Sequence, residues 1–268
     1  MDVANEVDHA FWREFRNVVK EVKPDVYILG EIWHDALSWL EGDQFDAVMN
    51  YPLTDEAIDF FIYNNQNAKM FSHKMADLLH MYPTNVHEVA FNLVGSHDTP
   101  RILTRAEGNL DKVKLLSLFQ FSMMGTPCIY YGDEIGMVGG QDPGCRACMI
   151  WEEEQQNRDL FNFLKLLIQL RKAEPVFGNG GRFNVIKADS EANYLVYEKY
   201  NTEKRIIFVM NNSDRERVIP VIDDLIGKEV IEYSFGYLGV IEFEEQFFLQ
   251  DSTMQIPRYG SRIFEIRN

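Results

Sequence analysis

Val26-Tyr27-Ile28-Leu29-Gly30-Glu31-Ile32-Trp33-His34 is an apolar run, opened by Pro24 and Asp25, that delivers a carboxylate and then two further ring-bearing side chains. An apolar run of about four to eight residues between breakers reads as a buried strand, and near-continuous apolarity points to a parallel sheet covered on both faces. In parallel α/β folds, ligands gather at the carboxyl ends of the strands. Glu31 stands at such an end. Many glutamates close strands without any role, so the position needs support from the rest of the chain.

The same pattern recurs on either side. Residues 9–22 carry Phe11, Trp12, Phe15, Val19 and Val22 at helical spacing, with Asp8 as N-cap and Pro24 closing the element. A short strand at 46–51 leads into a helical region from about 55 to 81, and a third strand at 91–95 runs into Ser96-His97-Asp98. An apolar helix over 110–124 precedes a fourth strand at 127–131, which ends at Gly132-Asp133-Glu134. A last helix over about 157–172 buries Leu160, Leu164, Leu167 and Ile168 on one face. Strands and helices in alternation mean parallel βα units. After Pro175 the character changes: 194–200 and 205–210 flank Asn201-Thr202-Glu203-Lys204 as a hairpin, and 218–222, 247–249 and 262–266 read as further strands. A small all-β unit is expected beyond a boundary near 175–180.

With 268 residues, 46% of them apolar, the chain can bury a substantial core as one large or two ordinary domains. A net charge of −16 argues against binding to nucleic acid or to an anionic membrane surface. The 13% aromatic content suits a neutral sugar partner. No stretch of about eighteen apolar residues appears, and the opening Met1-Asp2-Val3-Ala4-Asn5-Glu6 has no secretory character, so a cytoplasmic location is expected. Cys145 and Cys148 have CxxC spacing in a Gly/Pro loop. Zinc would need a second ligand pair, and a redox motif would open a helix in a βαβ unit, so both read as structural.

Carboxylates cluster at the strand ends: Glu31, Asp98 after His97, and Asp133 with Glu134. Asp2 precedes an amphipathic helix, where the end of a further strand belongs. Barrel enzymes draw catalytic groups from several strand ends. Two carboxylates about 5 Å apart open a glycosidic bond with retention, one attacking the anomeric carbon while the other protonates the leaving oxygen. Taken singly, each has a plainer explanation: Asp2 as a terminal charge, Asp133 and Glu134 as loop or cap residues, His34 and His97 as turn histidines, Trp12 and Trp33 as core.

Asp2-Val3-Ala4-Asn5-Glu6, Gly30-Glu31-Ile32-Trp33-His34 and Gly95-Ser96-His97-Asp98-Thr99-Pro100-Arg101 together resemble the α-amylase family of glycoside hydrolases, in its order and spacing. They are most similar to the neopullulanase, cyclomaltodextrinase and maltogenic amylase group. Gly125-Thr126-Pro127, the run 129–134, and Gly140-Gln141-Asp142-Pro143-Gly144-Cys145-Arg146 with Met149 and Trp151 extend the resemblance over essentially the whole chain.

The resemblance implies an α/β fold: the second half of a (β/α)8 TIM barrel over 1–176, from the end of strand four to helix eight, then an antiparallel β-sandwich over 177–268. It implies a retaining hydrolase of α-glucans such as starch oligosaccharides, cyclodextrins and pullulan. Asp2 is then the nucleophile, Glu31 the general acid/base and Asp98 the group that stabilises the oxocarbenium-like transition state. His97, Asn5, Glu6, Trp33 and His34 would contact sugar. No metal or other cofactor is implied. A glucanotransferase or α-glucosidase of the same family is the alternative enzyme, and a non-catalytic carbohydrate-binding protein the alternative outside enzymes. Absent from the pattern are the first three strands, their asparagine–histidine motif and the arginine two positions before the nucleophile. A barrel does not close on four or five strands. This polypeptide is therefore expected to be inactive or weakly active alone and to hide its open edge by self-association.

Overall fold

The computed structural model describes residues 1–235, 241–243, 247–248 and 252–267. Four short parallel strands come first and lie side by side in chain order. β1 (Leu29–Gly30) pairs with β2 (Ala47–Val48), and β3 (Phe91–Leu93) pairs with β4 (Thr126–Cys128). A parallel bridge between Met49 and Phe91 joins both pairs into one arc. The first residues extend it: the Met1 amino group donates to Leu29 O at 2.7 Å, and the Glu31 N–H donates to Met1 O at 2.8 Å. The ladders are shorter than the apolar runs because the ends of the runs find other partners. Ile28 N–H, for instance, donates to Asp46 Oδ2 at 2.7 Å, and that carboxylate is neutralised by Arg16 at 2.9 Å and Lys20 at 3.0 Å.

α1 (His9–Val22) begins where Asp8 accepts a bond from Ala10 N–H at 2.7 Å, a cap worth about 1 kcal/mol. Trp12 is buried and donates to Ala4 O at 2.8 Å. The outer stripe of the same helix stays in water: Phe11, Val18 and Val22 are 55%, 53% and 84% exposed.

The single helical region expected over 55–81 is two helices, α2 (Tyr51–Phe61) and α3 (Ala68–Met81). Asn64 between them takes a left-handed φ of 53°, which amide side chains tolerate, and Asn67 caps α3 by accepting from Met70 N–H at 3.0 Å. Two single turns, α4 (Thr84–His87) and α5 (Ile102–Arg105), precede and follow β3. α6 (Leu110–Ser122) is buried on all sides from Leu115 onward because that part lies in the middle of the molecule, with Leu115, Leu116, Leu118, Phe119 and Phe121 all buried. α7 (Arg158–Ala173) is capped by Asn157 and buries Leu160, Leu164, Leu167 and Leu170.

Beyond α7 the chain is antiparallel. β5 (Arg182–Asp189), β6 (Tyr194–Tyr200) and β7 (Lys204–Asn211) form a meander. β8 (Arg217–Pro220), β9 (Glu229–Phe235), β10 (Ile241–Phe243), β11 (Phe247–Phe248), β12 (Thr253–Ile256) and β13 (Ser261–Arg267) follow. The large sheet has the order β10-β9-β13-β7-β6-β5, with β11 also on β9, while β12 pairs with β8 apart from it. The expected hairpin forms, its turn held by Asn201 Oδ1 accepting from Glu203 and Lys204 N–H groups. Leu249 of the expected 247–249 strand lies outside the described residues.

Alternation along β6 sends its side chains into two cores. Leu195 and Tyr197 join Phe119, Leu116 and Leu164 on the helical side, whereas Tyr194 and Val196 join Ile219, Met254 and Ile256 on the other. The first of these clusters runs without interruption from α2 and α3 through α6 and α7 into the sheet. Asn212 Nδ2 donates to Phe60 O at 2.6 Å and Asn193 Oδ1 accepts from Ala68 N–H at 2.9 Å, tying the junction between α2 and α3 to the sheet. Among the described residues, no helix is long and apolar enough to cross a membrane.

Candidate active site

The carboxyl ends of the parallel strands carry the acidic groups because each apolar run stops there. Glu31 follows β1 directly. Its oxygen Oε2 accepts from Val3 N–H at 3.2 Å, and its carbonyl accepts from Ala4 N–H at 3.2 Å. Met1 and Val3 both bond to the segment around Glu31, so Asp2, between them, sits on the strand end next to Glu31. Val3 has a φ of 41°, a left-handed conformation that a β-branched side chain rarely adopts, and it turns the chain at once into the single turn Ala4–Glu6.

Asp98 lies two strands further on, past β3. Arg146 Nη2 donates to its Oδ1 at 3.1 Å, and His97 Nε2 stands 3.3 Å from its Oδ2. Arg146 also reaches back: its Nε donates to His97 O at 3.0 Å and faces Asp142 Oδ1 at 2.6 Å. The buried Cys145 thiol donates to the same His97 carbonyl at 3.0 Å. Thus the loop carrying the CxxC spacing serves as a clamp on the His97–Asp98 corner.

Between Glu31 and Asp98 lies Tyr51, the first residue of α2. Burial pushes its phenol up to about 12, and the charges of Glu31 and Asp98 push the same way, which marks the ring as neighbour to both carboxylates. Trp33 stacks on Tyr51 with centroids 3.8 Å apart and planes 9° from parallel. Half of the Trp33 surface remains open, leaving one indole face free beside the carboxylates. An exposed aromatic face fixed by a buried ring is the kind of surface on which the apolar side of a sugar rests.

The other expected contacts are less converged. Asn5 Nδ2 donates to Glu6 Oε1 at 2.8 Å, so these two are joined to each other, and His34 is bonded to Asp35 O at 2.8 Å and lies near Trp39. Asp133 belongs to the interior. It is bonded to Arg101 Nη1 at 3.1 Å, the guanidinium lies over the rings of both Tyr130 and Tyr131, and burial pushes the carboxyl up to about 7. Arg101 Nη1 also donates to Tyr131 O, so the pair links the loops that follow β3 and β4. Tyr51, Arg146 and Asp142 were not among the residues singled out from sequence. For Arg146 and Asp142 the signal was present in the unusual run 140–146.

The family described as "Alpha amylase, catalytic domain" matches residues 3–180. A cyclomaltodextrinase of Geobacillus thermopakistaniensis (strain MAS1) is 48% identical over 270 residues, covering 100% of this chain and 44% of that protein. The intracellular maltogenic amylase of Bacillus subtilis (strain 168) is 45% identical over 214 residues, 80% of this chain and 36% of that one. A solved structure of a cyclomaltodextrinase superposes with a TM-score of 0.86 at 43% identity, covering 100% of this chain and 44% of its own. The chain therefore spans less than half the length of these relatives. The fold is of the TIM-barrel type of α/β structure joined to an antiparallel sheet.

Proposed function

Since the chain belongs to the α-amylase family, we propose that it is the part of a retaining α-glucan hydrolase that carries the catalytic carboxylates. Asp2 is the nucleophile, Glu31 the general acid/base and Asp98 the stabiliser of the oxocarbenium-like transition state. The observation that carries this reading is the pairing of strand ends: Val3 N–H on Glu31 Oε2 sets the Asp2 and Glu31 side chains on adjacent strands at one rim. That arrangement suits attack by one carboxylate while the other protonates the leaving oxygen. Trp33 over Tyr51 supplies a sugar platform, and His97, Asn5, Glu6 and His34 are the further sugar contacts in this reading. Cyclodextrins, pullulan and starch oligosaccharides are the substrates in view, and the relative named as intracellular supports a cytoplasmic location.

The chain reads as a half-barrel over 1–176 with a β-sandwich over 177–268. The test is turnover of α-maltosyl fluoride, whose leaving group needs no proton, followed by NMR of the first product. Turnover giving the α-anomer is expected. A β-anomer, or turnover that survives Asp2→Asn, refutes the retaining mechanism, and no turnover at all favours the carbohydrate-binding alternative.

Arg146→Ala should lower this turnover about 10- to 100-fold, mainly through kcat, because Asp98 loses the group that holds its carboxylate. Arg146→Lys should recover only part, since an ammonium cannot reproduce the two-directional grip on Asp98 and His97 O. Equal activity for Arg146→Ala and the unmodified chain would refute the clamp.

A further inference from the structure

Arg101 follows Asp98 by three positions and is fully buried, and its neighbour Asp133 is only 5% exposed. A buried charge is tolerated only with a partner and hydrogen bonds. Asp133 is that partner: its Oδ1 accepts from Arg101 Nη1 at 3.1 Å, and the same Nη1 donates to Tyr131 O at 2.6 Å. The guanidinium carbon lies 4.7 Å from the ring centre of Tyr130 and 4.8 Å from that of Tyr131. The grip is incomplete. Among the described residues, Arg101 Nε and Nη2 and Asp133 Oδ2 are buried without a hydrogen-bond partner. A pair kept for stability alone would do as well or better as two apolar side chains, so its geometry asks for another reason.

That reason is visible on the other side of Asp133. Its Oδ2 is turned against Gly95: a Cβ placed on that glycine would stand 2.8 Å from this oxygen, too close for either atom to stay where it is. Gly95 and Arg101 are the two ends of the turn that carries His97 and Asp98. One carboxylate therefore bears on both ends at once. Within the turn, Ser96 N–H donates to Thr99 Oγ1 at 3.0 Å and Asp98 N–H to Ser96 Oγ at 3.2 Å, bonds that shape it locally. Cys145 and Arg146 hold its middle, at His97 O. Arg101 and Asp133 hold its ends, and the Arg101 N–H adds a bond to Gly139 O at 3.0 Å.

We propose that the buried Arg101–Asp133 pair positions Asp98, fixing both ends of the turn 95–101 on the loop after β4 so that the Asp98 carboxylate meets the glycosyl transition state in place. The proposal rests on the reading of Asp98 as the transition-state stabiliser. Arg146 touches Asp98 directly, whereas Arg101 and Asp133 are sealed from solvent and act through the backbone. The leverage is large, since a displacement of about 1 Å in a catalytic group costs about 10²-fold in rate.

The test joins amide hydrogen exchange by NMR to turnover of α-maltosyl fluoride, on two variants of the 268-residue chain. Arg101→Met with Asp133→Leu replaces the pair by apolar side chains, a change that leaves global stability level or raised. Gly95→Ala keeps the pair and forces Asp133 Oδ2 and the turn apart. In each, exchange at the amides of Ser96, Asp98 and Thr99 should quicken at least about tenfold, while Ile207 and Phe208 in β7 keep their protection. The value of kcat should fall about 10- to 100-fold with KM nearly unchanged, since Asp98 acts on the transition state. A pair that only fills the interior would move none of these readouts in the apolar replacement. Should that replacement fail to fold, Gly95→Ala decides. Unaltered exchange at the turn overturns the proposal, and so does faster exchange with an unchanged kcat. If the unmodified chain cleaves nothing, the hydrolase reading fails by its own test, and exchange at the turn alone decides whether the pair holds it.

Discussion

Glu31→Gln is expected to slow cleavage of α-1,4-linked glucans about 10²- to 10⁴-fold while sparing the first step on α-maltosyl fluoride. Glutamine cannot give a proton to the departing glycosyl oxygen, but fluoride leaves as an anion and needs none. In that step the Asp2 carboxylate forms an ester bond to the anomeric carbon as the carbon–fluorine bond breaks. The second step needs a base to take a proton from water, and the variant has none there. The maltosyl ester on Asp2 should therefore accumulate and appear as an added maltosyl mass on the peptide containing Asp2. Azide, an anionic nucleophile that needs no base, should discharge it and give α-maltosyl azide. If the variant cleaves glucans and fluoride with equally small losses, Glu31 is not the acid/base. If the label lands on another residue, Asp2 is not the nucleophile. Because Val3 N–H donates to Glu31 Oε2, glutamine retains an oxygen acceptor for that bond in one amide orientation, and the strand ends should keep their spacing.

The second large effect is on stability. Lys199 is fully buried on the helical side of the large sheet, and its amine has no hydrogen-bond partner. Burial, joined by the like charge of Arg171, brings its pKa down from an ordinary 10.5 to about 7. The unfolded chain keeps the proton up to its ordinary pKa, whereas the folded chain releases it near 7. Between those values the unfolded state binds more protons, so stability rises as pH increases, and the whole penalty falls below about pH 7. Lys199→Met keeps the apolar stem and removes the amine. It should stabilise the protein by roughly 2–5 kcal/mol at pH 6 and flatten the rise between pH 7 and 10 in urea titrations. A less stable variant, or an unchanged slope with pH, contradicts an unpaired buried amine.

Much of the candidate site was legible because its carboxylates sit where apolar runs stop. Glu31 and Asp98 each end such a run, and the strands bearing them form where expected. Asp2 has no run before it, so only the resemblance singled it out. Tyr51 and Arg146 were hidden for a different reason. Each matters through a contact distant in sequence: Arg146 reaches Asp98 across 48 positions, and no local periodicity encodes that. The break between α2 and α3 was visible as Asn64-Asn65-Gln66-Asn67, four amides in a row, but the apolar flanks on both sides favour reading one helix. β5 escaped detection because it is half-buried along most of its length and its register shifts between Val185 and Lys187, which breaks the alternation a strand should show.

The uninterrupted core between helices and sheet bears on how such a chain can be divided or inherited. Tyr197 lies between Phe119 of α6 and Phe208 of β7 and shares its hydroxyl with Ser122 at 2.7 Å. A cut near residue 176 would expose Leu195, Tyr197, Phe208 and Ile263 on one piece and Phe119, Leu164 and Leu167 on the other. The sheet is thus no detachable cassette. Calorimetry should register one heat-absorption peak for both parts, and recombination that exchanges the sheet between relatives should succeed only where the helical face beneath it travels along.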